Sequence, residues 1–208
     1  MISFAITTHN EGEYIRDLFD QLIPYCETTG DEIVVVDDTS TDAFTCQLLY
    51  DYADENKIRL YTHELNNDFA AHKNYLNSMC EGDYIFQVDA DEKFHDNLLT
   101  YLHDIVYNNT QVDVFLIPRV NVVNGLTDED VRRWGWQVND KGWVMFPDYQ
   151  TRLYKNVSHI KWEGKVHERI VGYKTMAHLP DEEEFALYHI KEIDRQRKQN
   201  DYYATISR

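Results

Sequence analysis

The chain is 208 residues long, 43% hydrophobic and 27% charged, with a net charge of −17. That length predicts a single domain burying roughly 70% of its unfolded surface, and the composition is that of an ordinary globular protein. The acidic balance excludes a generic nucleic-acid binder, whose hold on phosphate comes from lysine and arginine. It leaves room for a specific anion gripped by a few cations and a metal ion.

In chain order, the N-terminus opens on a short apolar run, Ile2 to Thr7, with no basic segment followed by an apolar one. No later stretch approaches 18 apolar residues, so neither a signal peptide nor a membrane span is expected. Glu11 to Ile23 sets Tyr14, Leu18 and Leu22, with Ile15 and Phe19, at helical spacing. Ile33 to Val36 is a continuous β-branched run, the pattern of a parallel strand buried on both faces. A helix over 43–53, a strand over Ile58 to Thr62, a helix over Phe69 to Met79 and a strand over Tyr84 to Val88 follow. This alternation predicts an α/β fold, a mostly parallel open sheet flanked by helices with right-handed crossovers. Ligands in such sheets bind beyond the carboxyl ends of the strands.

The second half is less regular. Strands are expected over Val112 to Pro118, 149–154, 166–171 and Phe185 to His189, with "NVVNGLTDEDVRRWGWQ" as a turn-rich excursion. A closing helix from Lys191 to Arg208 carries five basic and three acidic residues and predicts a local basic patch. Cys26, Cys46 and Cys80 are an odd number with no CxxC pair, which fits a reducing compartment without a zinc site. A cytoplasmic protein is the expectation.

"TTHNE", "DDTS" and "DADE" all fall at carboxyl ends of predicted strands. Asp89 and Asp91, one residue apart at the tip of the fourth strand, repel each other unless they face water or hold a cation. Hard divalent ions such as magnesium and manganese take oxygen ligands and share coordination with substrate phosphates, so few protein carboxylates suffice. A metal-diphosphate anchor is the reading for this acidic tip. Asp128-Glu129-Asp130, in a glycine-containing loop, is a chance triplet of the kind an acidic chain produces. Asp37 sits where a carboxylate accepts hydrogen bonds from a nucleobase imide or ribose. Thr39 to Asp42 suit the capping of the next helix, and Asn10 with Glu13 suits a capping box at the start of the first.

"ISFAITTHNE", "DEIVVVDDTSTD", "FAAHKNYLNSMCEGDYIFQVDADE" and "WEGKVHERI" resemble, in order and spacing, family 2 glycosyltransferases with the GT-A, or nucleotide-diphospho-sugar transferase, fold. The branch they look closest to includes lipopolysaccharide-core glucosyltransferases and peptide S-glycosyltransferases. The resemblance covers nearly the whole chain, as one domain with a nucleotide-sugar-binding half over 1–92 and an acceptor-side half over 93–208. It implies that Thr7, His9 and Glu11 contact the nucleotide, that Asp37 reads the base and that Lys73 faces the diphosphate. It implies Asp89 and Asp91 as metal ligands, Asp91 the more direct, with His189 completing metal or diphosphate binding. Lys73 stands where the family usually has arginine, which loses bidentate phosphate geometry.

The activity implied is a manganese- or magnesium-dependent transfer from a nucleotide sugar, UDP-linked by expectation, to an acceptor hydroxyl. The resemblance points to Glu168 with His167 as the general base pair, with Glu163 nearby and Asp148 as fallback. Lys73, Lys191 and Arg195 are the groups expected to stabilise the leaving diphosphate. Glycan, lipid-linked sugar, peptide and a hydroxymethylated DNA base all stay open as acceptors. A non-catalytic nucleotide-sugar-binding module and a nucleotidyltransferase on the same fold are the rival functions.

Overall fold

The protein is described here by a computed structural model covering residues 1–206, without the side chains of residues 199 and 201–206. Strands β1 (Ile2–Thr8), β2 (Glu32–Asp37), β3 (Arg59–Thr62) and β4 (Tyr84–Asp89) alternate with helices α1 (Gly12–Thr29), α2 (Ala43–Asp54) and α3 (Phe69–Met79). Then come β5 (Glu92–Phe94), α4 (Asp96–Asn108), β6 (Val114–Ile117), β7 (Arg119–Asn124) and α5 (Asp128–Trp134). The chain continues through β8 (Gln150–Lys155), β9 (Lys161–Glu163), β10 (Arg169–Val171), β11 (Met176–His178), β12 (Leu187–Glu192) and α6 (Ile193–Ile206).

Seven strands form the main sheet in the order β11-β6-β8-β4-β1-β2-β3. The pairs β1–β2, β1–β4 and β2–β3 are parallel, and β8 runs antiparallel between β4 and β6. Because side chains alternate across a strand, the sheet has two apolar faces. Phe4, Ile6, Val35 and Phe86 meet α1, α2 and α4 through Leu18, Phe19, Leu49, Leu98 and Leu102. Val34, Val36 and Ile85 meet α3 through Ala70 and Leu76, with Tyr154 and Trp162 completing that layer. Burial of each such side chain stabilises by about 1.5–3 kcal/mol.

A second sheet, β5-β12-β7, stands against the carboxyl end of β4 and brings His189 opposite both Glu92 and Asn121. This sheet determines the site, because it carries residues some hundred positions downstream of β4 to the β4 tip. Cys26, Cys46 and Cys80 form no disulfide. Among the described residues no helix is long and apolar enough to cross a membrane.

Several expectations need correction. Residues 96–108 form a helix, its buried Leu98, Leu99, Leu102 and Val106 at helical spacing. The turn-rich excursion contains the last four residues of strand β7 and the whole of helix α5. The Asp128-Glu129-Asp130 triplet is the first turn of α5, where Thr127 and Asp130 form a reciprocal capping box. Asn10 does not cap α1. It takes a left-handed conformation (φ 56°), and its Oδ1 accepts from the Thr41 and Asp42 amides, tying the β1 and β2 loops together. Asp42 does cap α2, accepting from the Thr45 amide. The basic patch does not form on the described part of residues 191–208. Lys191 is buried, Arg195 turns into the cleft described below, and Arg197 pairs with Asp130. Arg208 lies outside the described residues.

Candidate active site

A cleft of about 530 Å³ opens beyond the carboxyl ends of β1 and β4, between the main sheet and the β5-β12-β7 sheet. That volume lies within the usual range for small-molecule sites. Of the candidate residues, Thr7, Glu11, Lys73, Asp89, Asp91, Asp148, Glu168 and His189 line it. Its floor carries two ion-pair networks, one joining Asp89, Arg152, Glu92, Arg119 and Asp148 and the other joining Asp91, His189, Lys191, Arg195 and Glu11.

Asp89 ends β4. Arg152, buried on β8, reaches it through Nη2 to Oδ2 (2.5 Å) and Nη1 to Oδ1 (3.3 Å). The same Nη2 donates to Glu92 Oε1 (2.6 Å), and Glu92 Oε2 accepts from the Asp89 amide (3.1 Å). Burial drives the Asp89 pKa upward, but Arg152 and Lys73 outweigh it and hold the carboxyl well below its usual range. Asp89 is therefore an anchored carboxylate, its oxygens already engaged.

Asp91 is placed differently. Its Oδ2 lies 3.2 Å from His189 Nε2, 3.1 Å from Arg195 Nη2 and 3.6 Å from Lys191 Nζ. Burial raises its pKa, yet the His189 contact and Lys191 bring it down to about 2. His189 Nδ1 faces Asn121 Oδ1 at 3.0 Å. With Nδ1–H donating to that amide oxygen, Nε2 points its lone pair at a carboxylate. Either a proton or a metal ion must sit between them.

Arg195 stacks its guanidinium 4.4 Å from the Tyr14 ring centroid and pairs with Glu11. Its Nη1 is buried with no hydrogen-bond partner among the described residues. A buried guanidinium donor left unmatched is costly and marks a place for an anion. Burial, then the nearby Asp91, pushes Glu11 up to about 7 despite Arg195.

On the opposite wall Lys73 Nζ donates to Glu168 Oε1 (2.6 Å) and lies 4.4 Å from the Trp162 ring centroid. His167, next to Glu168, is exposed, takes a left-handed φ of 56° and does not line the cleft. Glu163 is exposed and paired with Lys161. Asp148 lines the cleft but is saturated. Its Oδ2 accepts from Arg119 Nε (3.0 Å) and Nη2 (2.7 Å) and from Asn121 Nδ2 (2.7 Å), and its Oδ1 accepts from Gln150. Burial raises its pKa, and Arg119 with these donors brings it below the ordinary value. A carboxylate so held is a weak base.

His9 and Asp37 stand apart from the cleft lining. His9 is exposed, its Nδ1 2.6 Å from the Asp38 carbonyl. Asp37 is buried and accepts from both the amide (2.8 Å) and the hydroxyl (2.5 Å) of Ser40. Sequence reasoning missed Arg152, Arg119, Glu92 and Asn121. A signal existed for the first: an arginine inside the expected strand 149–154 had to find a buried anion.

The glycosyl transferase family 2 description matches residues 3–175. The chain is 28% identical over 113 residues to glycosyltransferase GlyG of Streptococcus pneumoniae, which covers 51% of this chain and 35% of that protein. It superposes on S. aureus TarS residues 1–349 with a TM-score of 0.63 at 21% identity, over 91% of this chain and 60% of that one. The TarS complex with UDP-GlcNAc gives a TM-score of 0.62 at 22% identity, over 91% and 58%. This chain thus spans about a third of GlyG and three fifths of the TarS segment. The match to the TarS structures carries the GT-A architecture. With the family description running from β1 through β10, over most of the chain, the chain belongs to glycosyl transferase family 2.

Proposed function

We propose that the protein is a metal-dependent glycosyltransferase that moves a sugar from a uridine-linked nucleoside diphosphate to an acceptor hydroxyl. The observation that carries this reading is the surroundings of Asp91: a buried carboxylate facing His189, Lys191 and Arg195, with an unmatched Arg195 donor beside it. An anion bridged by a cation satisfies all of these groups together. Family membership supports the reaction class, and the UDP-GlcNAc held by TarS on the same fold supports the donor.

The donor set fits a divalent ion. Two ligands at right angles on one ion, each about 2.1 Å from it, stand roughly 3 Å apart, and Asp91 Oδ2 and His189 Nε2 are 3.2 Å apart. No three His, Cys, Asp or Glu side chains converge as a closed site among the described residues. Diphosphate oxygens and water would complete the coordination, as is usual for such ions. The imidazole nitrogen favours manganese over magnesium. Bound there, the ion would neutralise charge on the leaving diphosphate.

The chain's own residues do the rest. Arg195 and Lys191 hold the diphosphate on the β12 side, and Lys73 holds it from α3. Glu168 takes the proton of the acceptor hydroxyl as that oxygen bonds to the anomeric carbon. The carbon–oxygen bond to the diphosphate breaks and the nucleoside diphosphate leaves with the electron pair. Before the donor arrives, Lys73 neutralises Glu168. Once diphosphate competes for that ammonium, the carboxylate is released to act as base. Donor contacts thus come from both halves of the chain, Lys73 and Asp91 from 1–92 and His189, Lys191 and Arg195 from 93–208, while the base Glu168 lies in the second half.

A screen of nucleotide sugars by thermal shift, with and without manganese, followed by product analysis, tests this reading. Release of UDP supports glycosyl transfer, and release of pyrophosphate would identify a nucleotidyltransferase. Binding without turnover in the presence of acceptors would leave only a binding module.

A further inference from the structure

The geometry points to an acceptor subsite on the apolar wall of the cleft, with Trp136 as its platform and an uncharged carbohydrate ring as its occupant. This inference rests on the glycosyltransferase reading and specifies its acceptor. The cleft is divided by chemistry. Its floor carries the charged groups described above, whereas Trp136, Val122, Val144 and Met145 form one apolar side.

That wall is held in place for more than packing. Met145 is 47% exposed and adopts a φ of 58°, a region that L-residues with long side chains rarely occupy. Its amide donates to the Gln137 carbonyl (2.8 Å) and its sulfur accepts from the Gln137 amide (3.3 Å). The Val144 amide donates to the Asn121 carbonyl (2.9 Å), locking the wall to β7. Trp136 is half-buried and backed by Trp134, ring centroids 4.6 Å apart. A constrained backbone that leaves a thioether and an indole facing a cleft offers a flat apolar surface to a ligand. Asn121 and Gln196, on the same lining, supply polar edges for hydroxyl groups.

The charge balance selects the class of occupant. Glu11, Asp89, Asp91, Asp148 and Glu168 face Lys73, Arg119, Lys191 and Arg195 across the lining. The donor diphosphate engages Lys73, Lys191 and Arg195, so an anionic acceptor such as DNA would meet Glu168 and Glu11 without those partners and a chain of net charge −17. An extended peptide needs a strand edge or a long groove, and the cleft offers about 530 Å³. A saccharide presents C–H faces to the indole and carries no charge.

The test follows UDP release from UDP-glucose and UDP-N-acetylglucosamine with three acceptor sets. These are neutral disaccharides (cellobiose, chitobiose, lactose), duplex DNA with or without hydroxymethylcytosine, and peptides bearing serine, threonine or cysteine. Saccharides alone should stimulate release. Trp136→Ala should raise the acceptor KM about tenfold while kcat changes by less than about threefold, and Trp136→Phe should stay within about threefold of the wild type. Stimulation by DNA or peptide but not by saccharide overturns the inference, as does an unchanged KM in Trp136→Ala. Calorimetry of UDP with the wild type, which involves no acceptor, separates the two levels: absence of binding there overturns the transferase reading and this inference with it.

Discussion

Replacing Arg152 by methionine tests whether the cleft floor is held by the ion pairs described here. Arg152 is 4% exposed and its guanidinium spans two carboxylates, Asp89 on the cleft side and Glu92, whose side chain is fully buried. Methionine fills a similar volume but leaves both acids without this partner. Glu92 keeps Arg119 at 3.1 Å, so the loss falls short of two isolated buried charges. Removing one member of a buried pair typically costs about 3–5 kcal/mol, chiefly for the uncompensated charge left behind. At about 2–4 °C per kcal/mol for a chain of this size, the melting temperature should drop by roughly 6–20 °C.

The effect has a pH signature. In the wild type Asp89 is ionised well below its usual range, so its contribution to stability is present above the unfolded pKa and lost as pH falls through the folded one. Without Arg152 the largest pull against burial is gone, so the Asp89 pKa rises relative to the wild type and the variant regains stability as that carboxyl protonates. The gap between the two proteins should be widest near pH 7 and narrow toward about pH 4. Urea unfolding at several pH values, with constant m, measures it. A loss below about 1 kcal/mol, or a gap that does not change with pH, would refute the assignment of Arg152 as the counter-ion of the floor.

Three other substitutions address the donor, the base and the nucleotide. Asp91→Asn should abolish most of the manganese-dependent thermal stabilisation by UDP while leaving the metal-free fold intact, and Asp128→Asn should have no such effect because it belongs to the first turn of α5. Glu168→Gln should reduce transfer by about 10²–10⁴-fold while tightening UDP binding, because Lys73 no longer has to leave a carboxylate; near-normal transfer in this variant, together with loss in Asp148→Asn, would move the base to β8's approach. Asp37→Asn should narrow the preference for uridine over cytidine nucleotides by about 1–3 kcal/mol in calorimetry, whereas unchanged preference would leave Asp37 as the anchor of Ser40 alone.

The alternating half of the fold was legible because its signals are local. The Ile33 to Val36 run, the Glu11 to Ile23 periodicity and the "FAAHKNYLNSM" stretch each carry their own period, and each became the expected element. Helix α4 was missed although Leu98, Leu99, Leu102 and Val106 repeat at the same spacing. That helix follows the acidic tip, where the regular strand–helix alternation of the first half ends. Residues 119–148 escaped for a different reason. Their strand, β7, pairs with β12, nearly seventy residues downstream, and an isolated run of "RVNVVN" has no period long enough to declare a partner.

The site shows the same division more sharply. A pair of aspartates at a strand tip is visible in fifteen residues, but the difference between them is not. Arg152 reaches Asp89 across 63 positions, and His189 reaches Asp91 across 98. The electrostatic problem posed by two adjacent carboxylates is thus solved in two ways within one turn of chain. A buried arginine fixes the first, while an imidazole whose other nitrogen is fixed by Asn121 faces the second. Both carboxylates line the cleft, but Asp91 is the one that faces an imidazole nitrogen able to share a cation with it. The spacing of the motif is consequently less informative than the strand that returns, a hundred residues later, to complete it.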